Sequence, residues 1–208
     1  MKLRYNLLGW AVAAAALAPV GLQAQDGGFV AKAGFVRPFG DMLTGYAQTG
    51  LTGATGPTTG YSRVPVLATK ALGYGFEVGY DWKPDKDTGL GWGLQAGFHK
   101  VDGDENVAYG ANVKTGVIGT DLIYQVANTP VTVRTGPMLS SWDVTQKKPP
   151  TGQSGALGET TWKLGWRIGA EYQITPQWSA TAMYGWSTWK SGINPSYLLL
   201  QAGYRFNF

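Results

Sequence analysis

Large apolar residues alternate with small or polar residues along several stretches of the chain. From Leu72 to Trp82, every even-numbered position is a large apolar or aromatic residue, and the odd-numbered positions are glycine, Glu77 or Asp81. The same period of two returns between residues 90 and 98 and between residues 162 and 174. It is the period of a β-strand whose two faces meet different surroundings. The pattern therefore predicts strands with one apolar face and one polar or glycine-rich face.

Eight segments of this kind can be placed in the 208-residue chain. Three of the connections between them are short and contain proline or border it, whereas three are long and polar or glycine-rich. Short turns at one rim and long loops at the other are typical of an up-and-down barrel. We therefore predict an all-β fold, an eight-stranded antiparallel up-and-down transmembrane β-barrel. Its predicted strands are residues 28–38, 71–83, 89–101, 112–127, 131–143, 160–174, 178–190 and 196–208.

The composition favours a barrel that sits in lipid. The chain has 9 Trp, 11 Tyr, 7 Phe and 31 Gly, with only 14% charged residues. A soluble barrel of lipocalin type is the alternative, and it would turn its apolar faces inward. A short strand that carries Trp162, Trp166 and Tyr172 on one face suits lipid better than a soluble core, since Trp and Tyr are favoured near membrane interfaces.

The first residues are typical of a secretory signal peptide. Lys2 and Arg4 precede an alanine-rich apolar stretch, and small residues end at Ala24, so we expect cleavage before Gln25. The apolar stretch is shorter than the roughly 20 residues that a spanning helix requires. The predicted organisation is a signal peptide over 1–24 and a barrel over 25–208, and loss of Lys2 and Arg4 lowers the formal net charge from +4 to +2. No cysteine is present, so no disulfide supports the fold.

The chain ends on a strand with an aromatic residue at its last position. Gln201, Gly203, Phe206 and Phe208 occupy polar, glycine and apolar positions, and Tyr204 adds a further aromatic residue. This ending resembles the insertion signal of bacterial outer-membrane β-barrels. Together with the signal peptide, strand number and turn asymmetry, it makes the chain similar to the small eight-stranded barrels of the OmpA transmembrane domain, OmpX and OmpW type.

The resemblance implies a location and a set of partners. It implies the outer membrane of a Gram-negative bacterium, contact with outer-membrane lipid and lipopolysaccharide, and delivery by periplasmic chaperones to the barrel-assembly machinery. It also implies a monomer without a cofactor. Nucleic acid is not an expected partner, because the small positive charge is not clustered.

Charged residues are expected to face the lumen. A Lys or Arg on the lipid face near the membrane midplane costs about 2–4 kcal/mol, and buried charges need partners of opposite sign. Arg167 and Glu171 lie about 13 Å apart on one strand, so they need partners on other strands; for Arg167 we expect Glu77 or Asp121. We predict a charge network that plugs the barrel, and a polar relay that opens for small solutes is the alternative. The predicted members of the charge network are Lys32, Glu77, Asp81, Asp121, Arg134, Lys163, Arg167, Glu171 and Arg205.

The sequence leaves three functions open. A structural or surface-interaction role is the first, and the second is an OmpW-like conduit for small apolar solutes. The third is a lipid hydrolase that uses His99, the only histidine, but Lys100 follows it where a lipid A deacylase has serine. A catalytic group would have to come from Asp102, Asp104, Ser140 or Ser141.

The sequence does not favour a metal site, because it has one histidine and no cysteine.

The long connection from Gly40 to Lys70 is rich in Thr and Gly, and loops of this length are often functional or disordered. It suits either a mobile surface hairpin or an adhesive lid over the barrel mouth.

Overall fold

Ten β-strands make up the fold in the computed structural model, which describes residues 27–40, 44–53, 56–65, 71–82, 84–103, 111–146, 162–187 and 195–206. No helix within these ranges is long and apolar enough to cross a membrane. The predicted signal peptide, with Ala24 and Gln25, and the terminal Phe208 lie outside them. The strands are β1 (Gly27–Gly40), β2 (Thr44–Gly53), β3 (Gly56–Pro65), β4 (Gly73–Trp82), β5 (Leu90–Val101), β6 (Ala111–Gln125), β7 (Val131–Gln146), β8 (Trp162–Gln173), β9 (Trp178–Ser187) and β10 (Pro195–Phe206).

Eight of these strands close into one antiparallel barrel. Going round the wall, their order is β1-β10-β9-β8-β7-β6-β5-β4. The last strand pairs with the first, with Gly203 opposite Lys32 and Gln201 opposite Gly34. Every barrel strand therefore has two neighbours, which removes the open edges that a flat sheet would present. The predicted eight-stranded barrel is confirmed, and the bounds of its strands differ from the predicted ones by at most three residues.

The hairpin formed by β2 and β3 corresponds to the surface hairpin that was one of two alternatives for the connection from Gly40 to Lys70, although the two strands themselves were not predicted. It is a separate two-stranded sheet within the long connection between β1 and β4, with Thr44 opposite Pro65 and Gly53 opposite Gly56. The two strands were not among the predicted ones because half of their residues are Thr or Gly and they carry no alternation of apolar and polar positions.

The two ends of the barrel differ in the length of their connections. Residues 83–89, 126–130 and 174–177 form the short connections, at the end where β1 starts and β10 finishes; we call this end the turn rim. The opposite end, the loop rim, carries the long connections. Gly89 and Asn128 have positive φ angles of 68° and 59°, which glycine and asparagine tolerate best. Hydrogen bonds from the backbone N–H and hydroxyl of Thr88 hold the pKa of Asp85 below its ordinary value in the first turn.

The β6–β7 ladder is interrupted near the middle of the wall. Paired positions run up to Gly119 opposite Met138 and resume at Leu122 opposite Thr135. Pro137 lies in the gap and has no N–H to donate, and prolines within sheets are confined to edges and bulges. Asp121 and Gly136 face the lumen in this gap, and the buried Asp121 joins the charged side chains described below.

Large apolar side chains cover the outside of the barrel. Leu164 is 64% exposed and Ile168 is 47% exposed, whereas Arg167 between them is 1% exposed. Aromatic rings cluster at the turn rim, where Trp82 and Trp92 stack with ring centroids 3.6 Å apart. This orientation is the one predicted for lipid, and it is opposite to that of the soluble lipocalin-type alternative.

Cysteine labelling tests this orientation. We expect Leu164→Cys and Ile168→Cys to react with a maleimide dissolved in the lipid of reconstituted vesicles, because both positions face outward. The matched variants Ser140→Cys and Ser179→Cys, at buried lumen positions, should stay unlabelled until the barrel is unfolded. Labelling of the lumen pair alone would mean that the barrel has its apolar residues inside.

Candidate functional site in the barrel lumen

Buried charges occupy the lumen in the half nearer the turn rim. Six strands contribute them, and all except the partly exposed Arg205 are buried. Four are cations and four are carboxylates, so the set is formally neutral. We call it the ion layer: Lys32, Glu77, Asp81, Asp121, Arg134, Arg167, Glu171 and Arg205.

Arg134 lies at the centre of the ion layer. Its two terminal nitrogens each donate to one oxygen of Asp81 at 2.7 Å, which is the bidentate geometry that arginine makes with carboxylates. Its Nε donates to Asp121 at 3.1 Å, and Nη1 lies 3.4 Å from Glu171. One guanidinium from β7 thereby joins carboxylates from β4, β6 and β8.

The other three cations complete the network. Arg167 donates from Nε to Asp121 at 2.6 Å and has Nη1 at 3.7 Å from Glu77. Lys32 donates to Glu171. Arg205 reaches Asp81 at 3.4 Å from the turn rim. Each carboxylate therefore has a cationic neighbour on another strand, which is the condition under which buried charge is tolerated.

Lys163 does not join this network. It is half-buried near the loop-rim end of β8, in register with Ser140, whereas the ion layer occupies the other half of the lumen. Alternation predicted that it faces inward with the other charges, but its height in the barrel separates it from the ion layer.

Glycines on neighbouring strands make room for the charged side chains. A Cβ at Gly93 would lie 2.4 Å from an Asp81 oxygen, and one at Gly97 would lie 2.6 Å from Cγ of Glu77. Such distances are shorter than side chains permit. At these two positions glycine is needed because a carboxylate crosses directly over the backbone.

A second layer, which the sequence reasoning missed, fills the lumen between the ion layer and the loop rim. On β7 the lumen-facing residues change from Arg134 to Met138 and then Trp142, and on β1 from Lys32 to Val36. We call this set the apolar layer. Its buried members are Val36, Val101, Ala111, Val113, Val117, Met138, Trp142, Val144, Met183, Tyr197 and Leu199.

Polar atoms within the apolar layer are bonded locally. The indole N–H of Trp142 donates to Ser140 and Ser187, both at 2.9 Å. The Tyr197 hydroxyl donates to the sulfur of Met138 at 3.3 Å. These bonds let large rings fill the lumen without leaving their polar groups unpaired.

His99 lies at the junction of the two layers. Its Nε2 is 3.2 Å from Glu77 in the ion layer, and its ring meets the edge of Tyr197 in the apolar layer at a centroid distance of 5.1 Å. Asp102 is exposed and pairs with Lys100 at 2.9 Å. The triad of His99 with Asp102 and a serine is therefore wrong, because the carboxylate at His99 belongs to Glu77 and the Ser140 hydroxyl accepts a bond from Trp142.

The remaining predicted positions are Ser141, Asp104 and the C-terminal insertion signal. Ser141 faces outward, and Asp104 lies outside the described residues. Gln201 and Gly203 face the lumen on the closing strand, where Tyr204 and Phe206 pack edge to face at 4.9 Å. Within the part of the chain that the structure describes, no group of three His, Cys, Asp or Glu side chains could hold a metal ion.

Comparisons with known proteins agree with this architecture. The family described as outer membrane protein beta-barrel domain matches residues 9–206. Curated proteins give no match. Among solved structures, Ail, the attachment invasion locus protein of Yersinia pestis, is 16% identical with a TM-score of 0.51, covering 87% of this chain and 99% of its own. The N-terminal β-barrel domain of Pseudomonas aeruginosa OprF is 14% identical with a TM-score of 0.51, covering 88% and 100%. These likenesses show a shared fold.

Removal of Arg134 tests the ion layer. Arg134→Ala leaves the buried carboxylates of Asp81, Asp121 and Glu171 with less positive charge beside them. We expect it to lower the free energy of unfolding by about 3–5 kcal/mol. Lys163→Ala, which removes a lumen-facing cation outside the ion layer, should change it by less than about 1 kcal/mol. Urea titration of the barrel refolded in lipid vesicles measures both values. Equal losses in the two variants would contradict a network centred on Arg134.

Proposed function

The chain belongs to the outer membrane protein β-barrel family, and we propose that it is a closed barrel with a structural or surface-interaction role. It lies in the bacterial outer membrane. In barrels of this kind the short turns face the periplasm and the long loops face the exterior. The proposed outer surface is therefore the loop rim with the β2–β3 hairpin.

The closed lumen carries this proposal. Eight strands enclose an interior just wide enough for side chains to fill it. Here two layers lie in series: paired charges near the periplasm and packed apolar side chains nearer the exterior. A solute would have to break charge pairs and also displace the apolar layer, so the charge network expected from the sequence is only part of the plug.

A conduit for small apolar solutes is the second candidate function. It requires a continuous path or a side opening in the wall. In the loop-rim half, however, Trp142, Tyr197 and Leu199 are each at most 1% exposed. The polar relay considered from the sequence faces the same obstacle, because the apolar layer holds few polar groups. Both hypotheses need side chains to move.

The arrangement at His99 argues against a lipid hydrolase. The ring is 1% exposed and lies between the two layers, out of reach of a lipid substrate. Its carboxylate partner is Glu77, and no hydroxyl among the described residues bonds to its other nitrogen. We therefore propose a role without catalysis and without a cofactor.

The β2–β3 hairpin supports a surface-interaction role. Its strands of ten residues each form a sheet of their own in the connection between β1 and β4. Arg63 is the only charged residue in the two strands. A two-stranded sheet has two edges, and such edges can pair with an extended segment of another chain. Ail is named for attachment and invasion, but its likeness carries the fold alone.

The proposed role as an outer-membrane barrel also includes the partners that the resemblance implied. Lipid and lipopolysaccharide would contact the exposed apolar side chains of the wall. Periplasmic chaperones and the barrel-assembly machinery would recognise the closing strand and its terminal aromatic residues. We propose that the barrel acts as a monomer. The proposed assembly signal comprises Gln201, Gly203, Tyr204, Phe206 and Phe208.

Conductance in planar bilayers tests the closed barrel. We expect no steady current from the unmodified protein. Arg167→Ala and Trp142→Ala should each remain nearly closed, because each variant leaves one layer in place. The double variant should conduct, since it weakens both layers.

The control is a double variant that combines Arg167→Ala with Trp186→Ala. Trp186 lies on the outside of the wall, so this variant should stay as closed as Arg167→Ala alone. Large, steady currents from the unmodified protein, unaltered by these substitutions, would reject the closed barrel and favour the conduit.

A further inference from the structure

Eight buried side-chain atoms have no hydrogen-bond partner among the described residues, and three of them lie at or near His99, at the junction of the two layers. These three are His99 Nδ1, Thr115 Oγ1 and Arg167 Nη2. Each belongs to a side chain that is 1% exposed. Buried polar groups in folded proteins are nearly always bonded to protein or to an ordered water, so these atoms point to a partner that is not protein.

His99 and Thr115 lie directly opposite each other on two adjacent strands. They are paired positions of β5 and β6, and both face the lumen. Cβ atoms in such pairs are about 4.5–5.5 Å apart. A single small molecule between the two side chains could therefore reach both of them.

The orientation of the imidazole ring brings Nδ1 towards Thr115. Cδ2 lies over β4, since a Cβ at Gly75 would be 2.8 Å from it. Nε2, next to Cδ2 in the ring, meets Glu77, which is also on β4. Nδ1 lies on the opposite ring edge and so faces β6, the strand of Thr115.

Hydrogen-bond chemistry identifies the small molecule. The carboxylate of Glu77 accepts from Nε2–H, which leaves Nδ1 as an acceptor in the neutral ring and as a second donor in the protonated ring. The Thr115 hydroxyl can donate or accept. A water molecule can also do either, so it matches both groups in either form of the ring.

We propose that one internal water molecule bridges His99 Nδ1 and Thr115 Oγ1. It continues a hydrogen-bonded chain that runs from Glu77 through His99 to Thr115, across β4, β5 and β6. Buried waters of this kind need two to four polar partners. Arg167, whose Nη1 lies 3.7 Å from Glu77, has its unpartnered Nη2 in the same part of the lumen. The water is enclosed between the ion layer and the apolar layer.

The single histidine of the chain makes this water measurable. The barrel is refolded in lipid nanodiscs with ¹⁵N,¹³C-labelled histidine, and NMR records the ring nitrogens and cross-relaxation between water and the Cε1–H proton. We expect a protonated Nε2, an Nδ1 resonance at the position of a hydrogen-bonded nitrogen, and a peak from a long-lived water. Thr115→Val should lose the water peak and shift Nδ1 towards the position of an unbonded nitrogen.

Matched variants separate this site from general disturbance of the barrel. Thr115→Ser keeps the hydroxyl and should keep the water peak, and Thr145→Val, at an exposed position, should leave the spectrum unchanged. An unmodified barrel without the water peak and with an unbonded Nδ1 would overturn the proposal. So would a peak that persists in Thr115→Val. If that variant does not refold, the unmodified spectrum decides, with the peak supporting the water and its absence rejecting it.

Discussion

In the membrane-spanning part of this barrel, ionised side chains have only the lumen to occupy, because the outer face of the wall meets hydrocarbon there. A lumen enclosed by eight strands is too narrow to hydrate them fully, so each must be paired with an opposite charge. The ion layer meets this condition with four cations and four carboxylates from six strands. Arg134 joins three of those strands through Asp81, Asp121 and Glu171. The glycines under Asp81 and Glu77 follow from the same condition, since these side chains need space to cross the lumen.

The apolar layer complements the ion layer. Charged pairs fix the relative positions of the strands near the turn rim, whereas Trp142, Tyr197 and their neighbours fill the other half by packing. Narrow apolar constrictions exclude water and ions even where some space remains. Closure of the lumen therefore rests on two different kinds of interaction, and His99 touches both of them.

The sequence predicted the wall better than the interior. Alternation in β4 and β8 is strict, so their lipid and lumen faces could be assigned residue by residue. The apolar layer escaped because Met138 and Leu139, or Leu198 to Leu200, are apolar on both faces and carry no period. Pairings such as Arg134 with Asp81 depend on the stagger of strands that are distant in sequence, which no local pattern encodes. The same stagger separates Lys163 from the ion layer.

A double-mutant cycle on Arg134 and Asp81 tests most directly whether buried charge pairing holds the barrel together. Arg134→Met, Asp81→Leu and the double variant are compared by their free energies of unfolding in lipid vesicles. Coupling of about 2–3 kcal/mol is expected for this buried bidentate pair. A parallel cycle on Lys100 and Asp102, a pair of similar distance at the loop rim, should give less than about 1 kcal/mol. Equal, near-zero coupling in both cycles would contradict the account.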